Sequence, residues 1–195
     1  HQAVKDHVGP CLAAGTETVV ASVGALADDK LFHGLQEAAR KGGGRLVIPS
    51  GAIGGIDMLA SLKPSGISAV VYTGRKPPAA WKGSLAEQFL DLEALETEAT
   101  FFDGTARKAA LSYPKNANVA ATIAFAGVGL DHTRVRLIAD PAATGIQHGY
   151  TVTSGGADFN FSIQAKASTG NQRTSVTTAL SLLNEIRIRI APLAI

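Results

Sequence analysis

One cysteine, one tryptophan and one methionine occur among 195 residues, aromatic side chains make up 6%, and no apolar run approaches the length of a bilayer. Each scarcity excludes something. Cys11 alone cannot form an internal disulfide or a multi-cysteine metal site, and a lone thiol fits a reducing, cytoplasmic setting. About 18 consecutive apolar residues are needed to span a membrane, and none are found. The amino-terminal His1-Gln2-Ala3-Val4-Lys5-Asp6-His7 has neither the basic start nor the apolar centre of a secretion signal. Charge is also sparse. The net +2 arises from scattered Lys and Arg, with no basic block longer than Arg75-Lys76, so nucleic acid is not expected as a partner. No two histidines stand at i, i+4 on one helix, so no metal is expected.

What the chain has is apolar mass. Hydrophobic residues reach 46% and mean hydropathy is +0.14, enough to bury a core in one large or two small globular domains. Val4, His7, Val8, Cys11 and Leu12 recur at helical spacing, with Gly9-Pro10 interrupting and Gly15 ending the segment. Thr18 to Ser22 reads as a strand, Asp28 or Asp29 caps a helix through Ala39 that closes at Gly42-Gly43-Gly44, and Arg45 to Pro49 reads as the next strand. This is a βαβ crossover with parallel strands. Both strands run into turns that carry glycine, around Gly24 and around Gly51, at the edge where open α/β sheets bind ligands. Neither G-x-G-x-x-G nor a Walker loop is present.

Further along, Ser68 to Thr73 and Arg134 to Ala139 read as strands, and Trp81 to Glu98 as irregular with short helices. Tyr150 to Thr153 and Asp158 to Ala165 alternate with period two around Ser154-Gly155-Gly156-Ala157, an antiparallel pair with one apolar and one wet face. Val176, Ala179, Leu180, Leu183 and Ile186 trace an amphipathic helix. The expected fold is α/β: the later part of a Rossmann-type parallel sheet over residues 1–50, an α+β unit with a mainly antiparallel or mixed sheet over 51–174, and a helix over 175–195 returning toward the first unit.

The sharpest local signal is Tyr113-Pro114-Lys115-Asn116-Ala117-Asn118 followed by the helix Val119 to Ala126, which has no polar stripe and so must be buried. Its first turn presents free N–H groups and the positive end of the helix dipole beside Lys115 and Asn116, a place suited to a carboxylate or phosphate. The same spacing fits plain capping by Asn116 or Asn118. His148 stands at an element boundary after the loop Asp140 to Gly145. An imidazole there suits proton transfer near neutrality, or is satisfied by a backbone carbonyl. His7, His33 and His132 stand among charged or helix-surface residues.

Five blocks in order carry a family resemblance: Ser22 to Asp28, Pro49 to Asp57, Tyr113 to Thr122, Arg134 to Asp140, and Ile146-Gln147-His148. Together they resemble the L-aspartate dehydrogenases over nearly the whole chain. The resemblance implies a Rossmann domain with an inserted substrate domain, and NAD- or NADP-dependent oxidation of L-aspartate to iminoaspartate, which yields oxaloacetate or feeds NAD synthesis. It implies that Ala52 and Asn118 contact the dinucleotide and that His148 is the active-site histidine. It also puts the glycine-rich fingerprint and the acidic ribose-binding position upstream of His1. Where the family commonly reads Asn-Pro-Lys-Thr-Ser, this chain reads Asn171-Gln172-Arg173-Thr174-Ser175, keeping the cation and losing the proline.

Ser50, Gly51 and Gly24 join the cofactor side of this reading, because a glycine turn lets backbone approach the nicotinamide. A dicarboxylate needs cations, and Lys115, Arg75, Lys76 and Arg173 are the candidates, with Asn116 beside them. A homodimer is the expected assembly, its second subunit covering the apolar face of the antiparallel pair. Two other functions fit the same pattern: a related dehydrogenase for another amino or hydroxy acid, and a binding or oligomerisation module without its nucleotide domain.

Overall fold

The computed structural model describes residues 1–165, 167–168 and 171–193, with 167–168 and 171–174 as backbone. The chain opens on a helix whose first turns, Val4–Val8, are wound in π fashion before tightening into α1 (Gly9–Ala13). Gly9-Pro10 therefore changes the pitch and does not break the helix. Val4, Val8 and Leu12 are buried along one face.

Strands β1 (Glu17–Val19) and β2 (Arg45–Val47) pair in parallel, Glu17 opposite Arg45 and Val19 opposite Val47. The crossover between them is α2 (Asp29–Gly42). The Asp28 carboxylate accepts from the Leu31 N–H at 3.1 Å, and Gly43 closes the helix in the left-handed region. Both strands are shorter than the runs read from sequence: β1 starts one residue before Thr18 and ends at Val19, and β2 ends at Val47. After β1 the chain turns into a 3-10 segment, Val23–Ala27, all of it buried.

The second sheet has strand order β4-β5-β3-β6-β7, built from β3 (Ile67–Lys76), β4 (Ala99–Thr105), β5 (Arg134–Ala139), β6 (Ile146–Ser154) and β7 (Phe159–Ala165). β3 and β5 run parallel and the other pairs antiparallel, so the sheet is mixed as expected. Helices α3 (Ile56–Ser61), α4 (Ala106–Ser112) and α5 (Asn118–Ala126) complete this part. Residues 119–124 of α5 are all buried, which is why the helix needs no polar stripe. Its core partners are the inward positions of the strands: Val70 and Tyr72, Val135 and Leu137, Tyr150 and Val152.

The hairpin's apolar face is not left for a second subunit. Phe159, Phe161 and Ile163 pack on the chain's own core, Phe161 lies where a Cβ on Gly54 would fall, and the Tyr150 hydroxyl donates to the Gly54 carbonyl at 2.9 Å. The opposite face, with Thr151, Thr153, Asn160, Ser162 and Gln164, is exposed. Trp81 ends a 3-10 turn, Pro78–Trp81, and is fully buried, its indole N–H donating to the Ile138 carbonyl at 3.0 Å. A short backbone pair, β8 (Ala167–Ser168) with β9 (Asn171–Ser175), leads into α6 (Val176–Ile190), capped by Ser175. Leu180, Leu183, Ile186 and Ile190 on α6 are exposed. Among the described residues no helix is long and apolar enough to cross a membrane.

Candidate active site

A cleft of about 160 Å³ opens where the two units meet. Ala21, Val23, Pro49, Ser50, Gly51 and Ala52 supply one wall, from the turns that follow the carboxyl ends of β1 and β2. Small side chains and a glycine at φ 68° keep that wall open, and nothing stands within 4 Å of where a Cβ on Gly51 would lie. The Gly51 N–H donates to the Ser181 hydroxyl at 3.1 Å, which ties this turn to α6.

The start of α5 forms the second wall, with Asn118, Val119 and Thr122 on the cleft. Neither asparagine caps the helix: Ala117 holds the cap position and no side chain accepts from the first turn. Asn118 instead reaches across to the first unit, where its Oδ1 accepts from the Gly24 N–H at 2.9 Å. Gly24 therefore stands behind the lining residue Val23 and meets the cleft through Asn118. The Asn118 amide nitrogen has no protein partner among the described residues, which leaves two N–H donors for a ligand.

The floor comes from the sheet. His148 on β6 pairs in register with Gly74 on β3, and Lys76 lies two residues further along β3. His148 is buried, and its Nδ1 lies 2.8 Å from the Tyr72 hydroxyl. That hydroxyl has no other partner among the described residues. Donating to Nδ1 satisfies both groups and leaves the proton of the neutral ring on Nε2. Burial first, and the charge of Lys76 second, push the imidazole down to about 3, so it stays uncharged near neutrality. This alters the simple expectation of a histidine that titrates near pH 7: the ring offers a neutral N–H.

The Lys76 Nζ donates to Asn116 Oδ1 at 2.8 Å and sits 4.6 Å from the centre of the Trp81 ring. Burial lowers its pKa to about 8. Lys115 is exposed and also lines the cleft, while none of the lining residues described carries a carboxylate. Two lysines, two amides and an uncapped helix start around an acid-free hollow are complementary to an anion.

Of the residues picked from sequence, Ser50, Gly51, Ala52, Lys115, Asn116, Asn118 and His148 line this one cleft. Arg75 does not. Its side chain projects to the other side of β3 from Lys76, where it pairs with Glu98 and, at 2.6 Å, with Asp140. The Arg75 guanidinium holds the Asp140 carboxyl below its usual range. Arg173 lies in β9, and its side chain is outside the described residues. Tyr72 was missed, and Lys76 was one candidate cation among several. The period-two pattern of β3 could have found both, because Val70, Tyr72, Gly74 and Lys76 share one face.

Comparisons with known proteins agree with this architecture. The family described as aspartate dehydrogenase, C-terminal, matches residues 57–189, and the one described as homoserine dehydrogenase, NAD binding domain, matches residues 1–49. An L-aspartate dehydrogenase of Ruegeria pomeroyi is 50% identical over 189 residues, covering 97% of this chain and 69% of that protein. One from Pseudomonas aeruginosa is 44% identical over 186 residues, covering 95% of this chain and 70% of that protein. The crystal structure of aspartate dehydrogenase from Thermotoga maritima superposes with a TM-score of 0.83 at 27% identity, covering 100% of this chain and 74% of that one. The chain belongs to the aspartate dehydrogenase family.

Proposed function

We propose that this chain performs NAD- or NADP-dependent oxidative deamination of L-aspartate, giving iminoaspartate with the reduced nicotinamide and a proton, and then, by addition of water, oxaloacetate and ammonium. The observation that carries the reading is one acid-free cleft, at the carboxyl ends of two parallel strands, shared by Ala52, Asn118 and His148. Its chemistry fits a nicotinamide cofactor. Ala21, Gly51 and Ala52 leave a wall of small side chains, and beside it the amide donors of Asn118 have no partner among the described residues. On this reading Ser50, Gly51, Ala52 and Asn118 hold the cofactor, with Gly24 fixing Asn118 from behind. When bound, the nicotinamide supplies the acceptor for the hydride of the substrate α-carbon.

The remaining chemistry falls to the chain's own groups. Lys115 and Asn116 stand at the mouth beside the start of α5, where the helix dipole favours a carboxylate. His148 donates from Nε2 to a substrate oxygen and orients it without taking on charge, while the protons lost by the α-ammonium and by the water that adds to the imine pass to solvent at the mouth of the cleft. Residues 1–50 act as the cofactor half and 51–174 as the substrate half. Within the segment 175–195, the helix α6 (Val176–Ile190) closes back through Ser181 on Gly51 and Arg189 on Glu17. The same reading places the enzyme in the cytoplasm, where the exposed thiol of Cys11 stays reduced. It is expected to work as a homodimer, through the exposed Leu180, Leu183, Ile186 and Ile190 of α6 in place of the hairpin face, which sedimentation of the full polypeptide tests.

The deciding experiment follows nicotinamide reduction by the full polypeptide with L-aspartate, L-alanine, L-glutamate and L-malate. Aspartate-dependent reduction supports the proposal. Reduction with another acid but not aspartate moves the chain to a sister activity, and none with any acid overturns the enzyme reading. His148→Ala should lower turnover by about two orders of magnitude while the cofactor Kd stays within about threefold.

A further inference from the structure

We propose that Lys76 is the cation that binds the side-chain carboxylate of the substrate and thereby selects a dicarboxylic amino acid, an assignment that rests on the oxidative reading above. β3 presents two adjacent cations to opposite sides of the sheet, and they meet opposite fates. Arg75 finds Asp140 and Glu98. Lys76 is 7% exposed and forms no ion pair among the described residues. An ammonium withdrawn from water without a counter-charge is costly, and partial compensation comes from the Asn116 carbonyl oxygen at 2.8 Å and the π face of Trp81 at 4.6 Å. One of its three N–H donors is spent on Asn116. Two remain, in a cleft that holds no acid among its described lining residues. A ligand carboxylate supplies the charge and the acceptors together.

The supports around Lys76 are rigid. Trp81 is anchored by its N–H on the Ile138 carbonyl and by an edge contact with Phe101 at 4.8 Å. Asn116 is held in a turn by its own N–H on the Tyr113 carbonyl at 2.8 Å. The ammonium is therefore positioned before any ligand arrives, and less ordering is required on binding than at the exposed Lys115. His148 lines the same cleft, so a side-chain carboxylate on Lys76 leaves the α-carbon of the same small substrate within the cleft that His148 serves. A substrate of which one end is a neutral amide loses this charged contact, whereas one with two carboxylates keeps it.

The test compares wild type with Lys76→Met and Lys76→Arg in the full polypeptide. Lys76→Met is expected to raise KM for L-aspartate about ten- to hundredfold with a smaller change in kcat, and to lower the preference for L-aspartate over L-asparagine by a similar factor. Lys76→Arg should restore part of both. A second readout needs no turnover. Because the ammonium lies over Trp81, succinate should change the Trp81 emission saturably in wild type. The change should vanish in Lys76→Met, and Trp81→Phe assigns the signal. An unchanged aspartate-to-asparagine preference in Lys76→Met overturns the assignment. So does a fall in kcat at constant KM, or succinate binding as tight as in wild type. If Lys76→Met does not fold, Lys76→Gln, which keeps a donor for Asn116, carries the same comparison. Should wild type fail to oxidise aspartate while succinate still alters Trp81, the function is wrong and the anion site stands.

Discussion

At the scale of single residues, the contact between Tyr72 and His148 decides what the histidine can do. The phenol is wholly buried, and burial alone drives its ionisation far above the ordinary value, so it remains a proton donor at any working pH. Tyr72→Phe removes that donor and leaves the buried Nδ1 without a partner. The expected cost is about 1–3 kcal/mol of stability, read by denaturant unfolding. The loss of a fixed tautomer should lower kcat/KM about tenfold while cofactor binding is unchanged. Unaltered kcat/KM in a folded Tyr72→Phe protein removes the hydroxyl from any positioning role. His148 was legible from its place after the Asp140 to Gly145 loop and from the resemblance, and Lys76 only as half of a basic pair. Their environment was not legible, because Tyr72 is 76 residues from His148 and Asn116 is 40 from Lys76. No local pattern encodes such a meeting.

Between elements, the connection that organises the cleft is the amide of Asn118 on the Gly24 N–H, joining α5 to the 3-10 segment 23–27 across 94 positions of sequence. Gly24 is buried, so its N–H depends on that one acceptor among the described residues. Asn118→Ala should therefore cost about 1–3 kcal/mol and also weaken cofactor binding, since two functions rest on one side chain. Asn118→Asp separates them. The acceptor survives and stability recovers in large part, while a carboxylate enters an acid-free cleft and anion affinity falls below that of Asn118→Ala. Equal cofactor Kd for wild type and both variants, measured by titration calorimetry, removes Asn118 from the cofactor site. Periodicity found the βαβ crossover, the hairpin and the buried helix because each of their helices and strands writes its own pattern within at most 14 consecutive residues. It missed α3, α4 and β4: the two helices span only 6 and 7 residues, and Ala99 to Thr105 gains its strand from pairing with β5. It found the apolar stripe of α6, but spacing carries no information about what lies against a stripe.

Across the whole molecule, burying His148 and Lys76 with no acid partner among the described residues couples folding to pH in a predictable direction. The folded imidazole titrates at about 3, against 6.5 for the free group. Between those values the unfolded chain binds a proton that the native protein refuses. The stability held by the neutral ring is complete above pH 6.5 and is lost as pH falls toward 3. Lys76 behaves in the same sense higher up. Its folded value of about 8 lies below the 10.5 of a free lysine, so stability rises as pH increases through that interval. The acid window is crowded below about pH 4.5 by carboxylates held down by arginine, such as Asp103 and Asp140, so the clean interval for His148 is pH 4.5 to 6.5. There the unfolding free energy of wild type minus that of His148→Gln should climb with pH by about 1 kcal/mol per unit, close to one proton. The corresponding difference for Lys76→Met should climb between pH 8 and 10. Urea titrations at half-unit pH steps measure both. A flat His148 difference means that the ring is protonated in the native cleft, which takes away the neutral donor on which its assigned role depends.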